Sequence, residues 1–318
     1  MARYILLRLL HGIIVIVIVS IFVFLMMRLL PGDPVLLYLD RAAIVNIEPE
    51  TLEKLRTEFG LDKPLVVQYL NWINDILHGD LGTSLFQRLP ISSIIKQSFP
   101  ITAHLGILSL LISSVVAISA GIVCALKRGS WLDTLVTSLT NIGVSAPIFW
   151  LGILLIYLFG VNLKWLPIYG YTSPFENFWL STKQVIMPII CLSVISISFI
   201  TRQTRSSILE IIKNDYVRTA WAKGLNERTV ITRHVLKNSL IPIATLIGLQ
   251  VSSIISGSVL VETVFNIPGV GRMMVNALFS HDYPIVQGGV LLIATFVIVM
   301  NLLVDISYGW LDPRIRYT

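Results

Sequence analysis

Residues that could perform chemistry are few and scattered in this chain of 318 residues. Its five histidines form no HExxH motif, and no GxSxG serine motif is present. The two cysteines, Cys124 and Cys191, lie in apolar runs without a CxxC pair, which indicates small hydrophobic residues and not a disulfide or metal site. We therefore assign no catalytic residue and no metal ligand, and an intramembrane hydrolase is disfavoured.

Charge is concentrated in one stretch, residues 202–241, which carries eight Lys/Arg and three Asp/Glu. Within it, Val217, Ala220 and Trp221 recur at helical spacing and continue to Leu225, which predicts a helix with one apolar face. Gly224 is placed to end this helix in a left-handed turn.

A second helix is expected to follow this turn. Asn226 can cap its start, and it should run through Arg233 towards Pro242. Two interpretations of the resulting helix–turn–helix remain open at this point. It could be an amphipathic element lying on anionic lipid, or a docking surface whose small residues allow another protein to approach the backbone closely.

The rest of the chain is strongly apolar. It is 55% hydrophobic and 13% charged with a mean hydropathy of +0.80, whereas soluble domains carry about 25% charged residues. Six runs free of Asp, Glu, Lys and Arg approach the ~20 residues that a membrane-spanning helix needs. They cover residues 9–27, 101–126, 134–163, 184–201, 239–261 and 284–304. The first is expected to be a retained span because no small-residue cleavage site follows it.

Basic residues predict the orientation of these spans. With the N-terminus inside, the inner segments hold 14 Lys/Arg, against three in the two short outer loops. Both termini and residues 202–241 are thus predicted to be cytoplasmic. Residues 31–100 form a long outer segment with two short amphipathic helices, over 49–60 and 64–79, which we expect to build a small packed cap outside the membrane.

Polar residues and helix breakers within the spans are candidates for a transport pathway. Pro147 should kink the third span. Small residues of the fifth span should allow close helix approach near the pathway or a subunit interface; they are Gly248, Ser252, Ser253, Ser256 and Gly257. The remaining polar candidates are His104, Asn141, Gln250 and Asn301 within spans, and Glu262 and Asp305 at span ends.

One series of motifs resembles a known family. The stretch Arg218-Thr219-Ala220-Trp221-Ala222-Lys223-Gly224 looks like the EAA loop of permeases from binding-protein-dependent ABC importers. The surrounding residues 215–242 are more similar to the peptide/nickel branch of that family. Further motifs follow the same order along almost the whole chain: Leu-Pro-Gly-Asp-Pro at 30–34, Gly-Asp-Leu-Gly-x-Ser at 79–84, Glu-x-Val-Phe-x-x-Pro-Gly-Val-Gly-Arg at 262–272, Asp-Tyr-Pro at 282–284 and Asp-Pro-Arg at 312–314.

The sequence departs from the family pattern at two places. Arg218 replaces the glutamate that names the EAA loop, and His234-Val235-Leu236-Lys237 replaces its later Ile-x-Leu-Pro. Any carboxylate contact at position 218 is therefore lost. His281 stands where we expect a basic residue before Asp-Tyr-Pro, which leaves its role open.

The resemblance implies an all-α integral membrane permease with six transmembrane helices, an extracytoplasmic helical segment after the first, and a coupling-helix loop between the fourth and fifth. Its expected parts are an N-terminal helix (1–30), the extracytoplasmic segment (31–100), a five-helix core (101–306) that includes the loop 202–241, and a cytoplasmic tail (307–318). The coupling residues carried over are Asp215, Tyr216, Arg218, Thr219, Ala220, Ala222, Lys223, Gly224 and Leu225.

The same resemblance implies partner subunits. They are a related second permease, two cytoplasmic ATPases and an extracytoplasmic solute-binding protein, with no nucleic acid involved. Because the chain has no GxxxxGK[ST] loop, ATP and magnesium are expected in the ATPase subunits and no cofactor in this chain. Peptides are the first expected cargo, with nickel as a chelate, glutathione or another small solute as alternatives. An ion-coupled secondary transporter is disfavoured, since no carboxylate lies well inside a span.

Overall fold

The computed structural model describes residues 2–29, 35, 53, 54, 56, 57 and 61–311. Several predicted features lie outside these residues: the motif at 30–34, most of the helix predicted over 49–60, and the tail beyond residue 311. For residues 305–311, which include Asp305, the backbone alone is described.

The described chain is built from helices. No β-strand occurs in these residues, although Thr83 and Pro90 form one isolated antiparallel bridge. In chain order the helices are α1 (Ala2–Leu29), α2 (Leu65–Leu77), α3 (Ile91–Leu126), α4 (Trp131–Ser145), α5 (Ile148–Leu155), α6 (Phe178–Ile211), α7 (Asp215–Ala222), α8 (Lys237–Val264), α9 (Val270–Ser280) and α10 (Tyr283–Leu311). There are also two π-helical segments in the described residues. Ile156–Asn162 directly follows α5. Val230–Leu236 comes after a single helical turn at Glu227–Thr229 and leads directly into α8.

Five of the described helices are long and apolar enough to cross a membrane, at Leu6–Leu29, Ile91–Leu126, Phe178–Ile211, Pro242–Val264 and Tyr283–Val304. They correspond to five of the six predicted spans. α3 and α6 extend well beyond the apolar runs at 101–126 and 184–201, because a helix does not have to end where its first charged residue occurs. Pro100 and Pro188 lie inside these helices and do not break them.

The third predicted span differs from expectation. Residues 134–163 are not one kinked helix: α4 and the helical stretch Ile148–Asn162 meet at an angle of 106°. Ala146 and Pro147 at the junction both have extended backbones, with ψ of 127° and 132°. Proline disfavours a helical conformation in the preceding residue and has no N–H to donate, so the predicted kink at Pro147 is a complete break.

Backbone contacts divide the chain into two compact units. Residues 102–267 form most of the larger unit, in which α6 packs against α3, α4 and α8. The contacts are close because small residues face one another. A Cβ atom at Gly121 would lie 2.5 Å from Cβ of Thr204, and one at Gly143 would lie 2.8 Å from Oγ of Ser198.

Hydroxyl groups join the same helices at several levels. Ser193 on α6 donates to the carbonyl of Ser109 on α3 at 3.2 Å, and Thr201 donates to the carbonyl of Ala117 at 3.3 Å. Both pairs are separated by 84 residues, so α3 and α6 run in the same direction with a constant register.

The smaller unit contains residues 6–101 and 268–298. Its hydrophobic core draws on α1, the start of α3, α9 and α10. The amphipathic helix predicted over 64–79 is present as α2, and Gly79 follows it with φ +85°.

Candidate functional site

Helix α7 is fixed to the body of the larger unit by two side chains, Val217 and Ala220. Both are buried, in a cluster with Ala125 of α3, Ile208 of α6, and Val230 and Val235 of the following π-helical segment. The two residues are three positions apart and therefore share one face of the helix. The rest of the α7 surface is consequently directed away from the cluster.

The turn after α7 has the predicted geometry. Gly224 adopts φ +76°, the left-handed conformation that favours glycine, and no atom lies within 4 Å of the position of an added Cβ. Asn226 caps the next turn, its side-chain oxygen accepting a hydrogen bond from the N–H of Thr229 at 2.9 Å. The second helix does not stop near Pro242, which lies inside α8. The loop thus leads through a π-helical segment directly into a membrane-spanning helix.

Eight of the nine predicted coupling residues are exposed around α7 and its turn. They are Asp215, Tyr216, Arg218, Thr219, Ala222, Lys223, Gly224 and Leu225. Ala220 is the ninth, and it supports the helix from the buried side. We call the eight exposed residues together with Trp221 the α7 surface.

Periodicity predicts Trp221 and Leu225 on the apolar inner face, and both predictions are wrong. The side chain of Trp221 is 45% exposed, because it follows Ala220 by about 100° around the helix and leaves the cluster, and Leu225 is exposed because α7 ends at Ala222. With Tyr216 and Leu225, Trp221 gives the α7 surface three large exposed apolar groups. Tyr216 is held in place by Asn238 of α8, whose amide donates to the phenol oxygen at 3.1 Å.

An ion pair braces the same end of the larger unit. The Arg205 guanidinium of α6 binds both carboxylate oxygens of Asp133 on α4, at 2.8 Å each. Asp133 also accepts a hydrogen bond from the N–H of Gly129 and is buried. Sequence reasoning counted Arg205 only as a loop charge and passed over Asp133, because an ion pair between residues 72 positions apart leaves no local signal.

The predicted pathway residues fall into two groups. Asn141, Pro147 and Ser253 are exposed, whereas Gln250 and Glu262 are buried. The buried pair join helices: Ser196 of α6 donates to Gln250 at 3.1 Å, and Thr102 of α3 donates to Glu262 at 2.6 Å.

Exposed polar residues form stripes on two helices of the larger unit. On α4, an exposed stripe recurs at helical spacing in Thr134, Ser138, Asn141 and Ser145. On α8, beyond its exposed first turn, the exposed positions recur at helical spacing in Leu249, Ser253, Ser256, Leu260 and Thr263, of which three carry hydroxyl groups and two are leucines. We call them the α4 stripe and the α8 stripe.

The glycines of α8 have different roles. A Cβ at Gly248 would lie 2.3 Å from Val304 of α10, so the predicted close helix approach is confirmed there. A Cβ at Gly257 would lie 3.4 Å from Ile148 and 3.5 Å from Leu192, which are ordinary contacts. Gly257 therefore lies beside the start of α5, next to the break at Pro147.

Two other polar candidates within the spans, His104 and Asn301, are at least partly buried. His104 lies 2.9 Å from the hydroxyl of Tyr171, and burial raises the pKa of that phenol, with a further contribution from the charge of Glu176. The side-chain oxygen of Asn301 is buried without a hydrogen-bond partner. Within the described ranges, no group of three or more His, Cys, Asp or Glu could hold a metal ion.

Asp282 joins two motifs of the smaller unit that are distant in sequence. Its carboxylate accepts hydrogen bonds from the hydroxyl of Ser84 at 2.5 Å and from the N–H groups of Leu85 and Phe86 at 3.2 and 3.4 Å. The preceding residue, His281, ends α9 in a left-handed conformation with φ +55°. The motif at 79–84 and the motif at 282–284 therefore form one structure.

Comparisons with known proteins agree with this architecture. The family described as "Binding-protein-dependent transport system inner membrane component" matches residues 117–317. The corresponding N-terminal family, "Binding-prot-dependent transport system membrane comp, N-term", matches residues 1–106.

Curated relatives align along the chain. A "Probable peptide ABC transporter permease protein" of Sinorhizobium fredii is 41% identical over 320 residues, covering 100% of both chains. A "Putative peptide transport system permease protein" of Brucella abortus is 42% identical with the same coverage. The "Dipeptide transport system permease protein DppB" of Escherichia coli is 40% identical over 94% of each chain.

A solved structure has the same fold. The MetNI methionine ABC transporter in an inward-facing conformation aligns with a TM-score of 0.58 at 16% identity, covering 70% of this chain and 97% of that chain. At this identity the likeness concerns the fold alone. Taken with the family match over most of the sequence, it leads to one assignment: this chain belongs to the inner-membrane components of binding-protein-dependent ABC transport systems.

Proposed function

We propose that this chain forms half of the translocation pathway of an ATP-driven importer of di- or oligopeptides. The assignment of peptides as the cargo is supported by the relatives, which are named as peptide and dipeptide permeases. In this proposal, a related second permease completes the pathway, two cytoplasmic ATPases supply energy, and an extracytoplasmic solute-binding protein delivers the peptide.

The α7 surface carries the proposal. It combines exposed apolar groups, exposed charges and a glycine turn, and two buried side chains anchor it to helices of the larger unit. A docking element has to be accessible to its partner and also rigidly connected to the part that moves. α7 meets both conditions, since it packs on α3 and α6 and its turn leads through Val230–Leu236 into α8.

In the proposed mechanism, closure of the ATPase pair moves α7, and α7 moves the helices to which it is packed. The cluster of Val217 and Ala220 transmits the displacement to α6, and the segment after Asn226 transmits it to α8. ATP and magnesium act in the ATPase subunits. This chain supplies the docking surface and the moving helices, and it holds no nucleotide.

Exposed hydroxyl and amide groups are the proposed lining of the pathway. The α4 stripe and the α8 stripe present Asn141 and Ser253 at membrane depth, where an exposed polar group is costly unless it faces water or another protein. The proposal puts both termini and the α7 surface on the cytoplasmic side, which the distribution of basic residues supports.

Reconstitution tests the coupling. In proteoliposomes that contain the complete transporter, Gly224→Val and Lys223→Glu should abolish peptide-dependent ATP hydrolysis and uptake, while membrane insertion and subunit yield stay unchanged. The purified chain alone should hydrolyse no ATP. Normal coupling in both variants would refute the docking role, and a robust ATPase rate from the chain alone would refute the permease assignment.

Cargo requires a separate measurement. Calorimetry of the cognate solute-binding protein against dipeptides, longer peptides, a nickel chelate and glutathione should give binding to peptides. Binding confined to the nickel chelate or to glutathione would overturn the peptide assignment and leave the coupling mechanism intact.

A further inference from the structure

One side of α2 is apolar and exposed. Val66, Leu70 and Leu77 are 70%, 59% and 79% exposed, and with the half-buried Ile73 they follow a spacing of four, three and four residues. This spacing places them in one line along the helix. We call these four residues the outer face of α2.

The adjacent side of α2 is attached to α1. The hydroxyl of Tyr69 lies 2.9 Å from that of Ser20, and the guanidinium of Arg28 donates to the side-chain oxygen of Gln68 at 2.9 Å. The ring of Phe24 lies between these contacts, 5.5 Å from the ring of Tyr69. Three consecutive turns of α1, at Ser20, Phe24 and Arg28, therefore contact α2.

These contacts set the depth of α2. The candidate span of α1 ends at Leu29, nine residues after Ser20, which corresponds to about 13 Å of helix. The contacts with α2 cover this last stretch of an apolar span. α2 thus lies alongside the end of the span and not beyond it.

The polarity of α2 matches this depth. Three of its exposed polar residues, Asn71, Asp75 and His78, lie about 110–170° around the helix from the centre of the outer face, whereas the exposed Asn74 borders that face. A helix with this division of apolar and polar sides is typical of the boundary between lipid headgroups and acyl chains. α1 is also exposed and apolar over the same turns, on the side away from α2, at Phe22, Leu25, Met26 and Leu29.

We infer that the outer face of α2 is a lipid-contact surface, inserted among the acyl chains of the leaflet in which α1 ends. Phospholipid is the occupant that this geometry favours, because the surface is apolar and its helix packs alongside the last turns of a membrane-spanning helix that itself exposes apolar side chains. The polar side of α2 then faces water. On this inference, the part of the predicted cap that α2 forms is an interfacial helix lying on the membrane.

Spin labelling of the assembled transporter in lipid nanodiscs tests this inference. Single cysteines replace Leu70 and Leu77 on the outer face, and Asn71 and Asp75 on the polar side serve as matched controls on the same helix. The native Cys124 and Cys191 are buried, and the unsubstituted chain measures any background labelling. Collision rates are recorded with oxygen, which concentrates in lipid, and with a water-soluble nickel chelate.

Labels at positions 70 and 77 should collide several times more often with oxygen than with the nickel chelate, and labels at 71 and 75 should show the reverse. Equal access to the nickel chelate at all four positions would place the outer face in water and overturn the inference. Protection from both reagents at 70 and 77 would also overturn it, since a protein partner would then cover the face. The result depends only on insertion of α1, so it is independent of whether the chain imports peptides.

A second measurement guards against a local effect of the nitroxide. A small fluorophore on the same cysteines should be quenched by brominated lipids at positions 70 and 77 and far less at 71 and 75. Absence of quenching at 70 and 77 would contradict insertion among acyl chains.

Discussion

The Arg205 guanidinium holds the Asp133 carboxylate through two parallel hydrogen bonds of 2.8 Å. This bidentate pair connects α4 to the end of α6, six residues before the turn that leads to α7. Asp133 is buried, so removal of its charge leaves Arg205 without its partner. The pair therefore holds the start of α4, the first half of the broken span, against α6, the helix that leads into α7.

Asp133→Asn should destabilise the chain by about 1.5–3 kcal/mol, the usual value of a hydrogen bond to a charged group. The shift in the thermal unfolding midpoint in detergent measures it. Asp215→Asn is the matched control, because Asp215 and Arg218 form an exposed pair at 3.4 Å that contributes little. A similar shift in both variants would mean that the buried pair adds nothing beyond a surface contact.

Gly224→Ala and Gly129→Ala separate coupling from backbone strain. Both glycines have φ +76°, and neither would place a Cβ within 4 Å of another atom. Each substitution should cost about 1–2 kcal/mol of left-handed backbone strain. Peptide-dependent ATP hydrolysis should fall in Gly224→Ala and stay near normal in Gly129→Ala. If both variants lose activity to the same degree, strain and not docking explains the effect.

Thr102→Val removes one donor from a buried carboxylate. Thr102 and Glu262 are both buried, and the Thr102 hydroxyl donates to the Glu262 carboxylate at 2.6 Å. The isosteric valine should lower the free energy of unfolding by about 1–3 kcal/mol, because the buried carboxylate loses this hydrogen bond. Thr263→Val, at the next position on α8, is the control, since the Thr263 hydroxyl is exposed and bonds only within its own helix, to the carbonyl of Val259. Unfolding midpoints compare the two, and equal midpoints would exclude a specific role for the Thr102 bond.

Ser253→Cys should react rapidly with a charged, membrane-impermeant thiol reagent in proteoliposomes. Ser253 belongs to the α8 stripe, whereas Ser258 on the same helix is 2% exposed, so Ser258→Cys should stay unmodified. Charged reagents reach only thiols in contact with water. Modification of Ser253→Cys solely by a lipid-soluble reagent would place the α8 stripe against lipid and refute its role in the pathway.

Several features could be predicted from sequence because they depend on local chemistry. The spans follow from apolar length, since backbone groups in lipid have to be satisfied within a helix. The turn at Gly224 and the cap at Asn226 follow from the conformational freedom of glycine and the short side chain of asparagine. The sequence also predicts the position of the bend at Pro147, although the two helices meet there at 106°, which is a break and not a kink.

Other features depended on which surfaces meet in three dimensions. Periodicity grouped Trp221 with Val217 and Ala220, and only the packing of α3, α6 and Val230–Leu236 decided that two of the three are buried. The partners of Glu262, Asp282 and Asp133 are 160, 198 and 72 residues away, and no local pattern encodes such distances.

The sequence by itself determined that this is a helical membrane permease with a basic loop between two spans, because hydrophobic length, charge and motif order are properties of the linear chain. The tertiary structure decided which polar residues are joined inside the helix bundle and which remain exposed. It also decided that α2 packs beside α1. The physical reason is the same in each case: burial is a property of the surroundings of a side chain, and the packing of distant segments creates those surroundings.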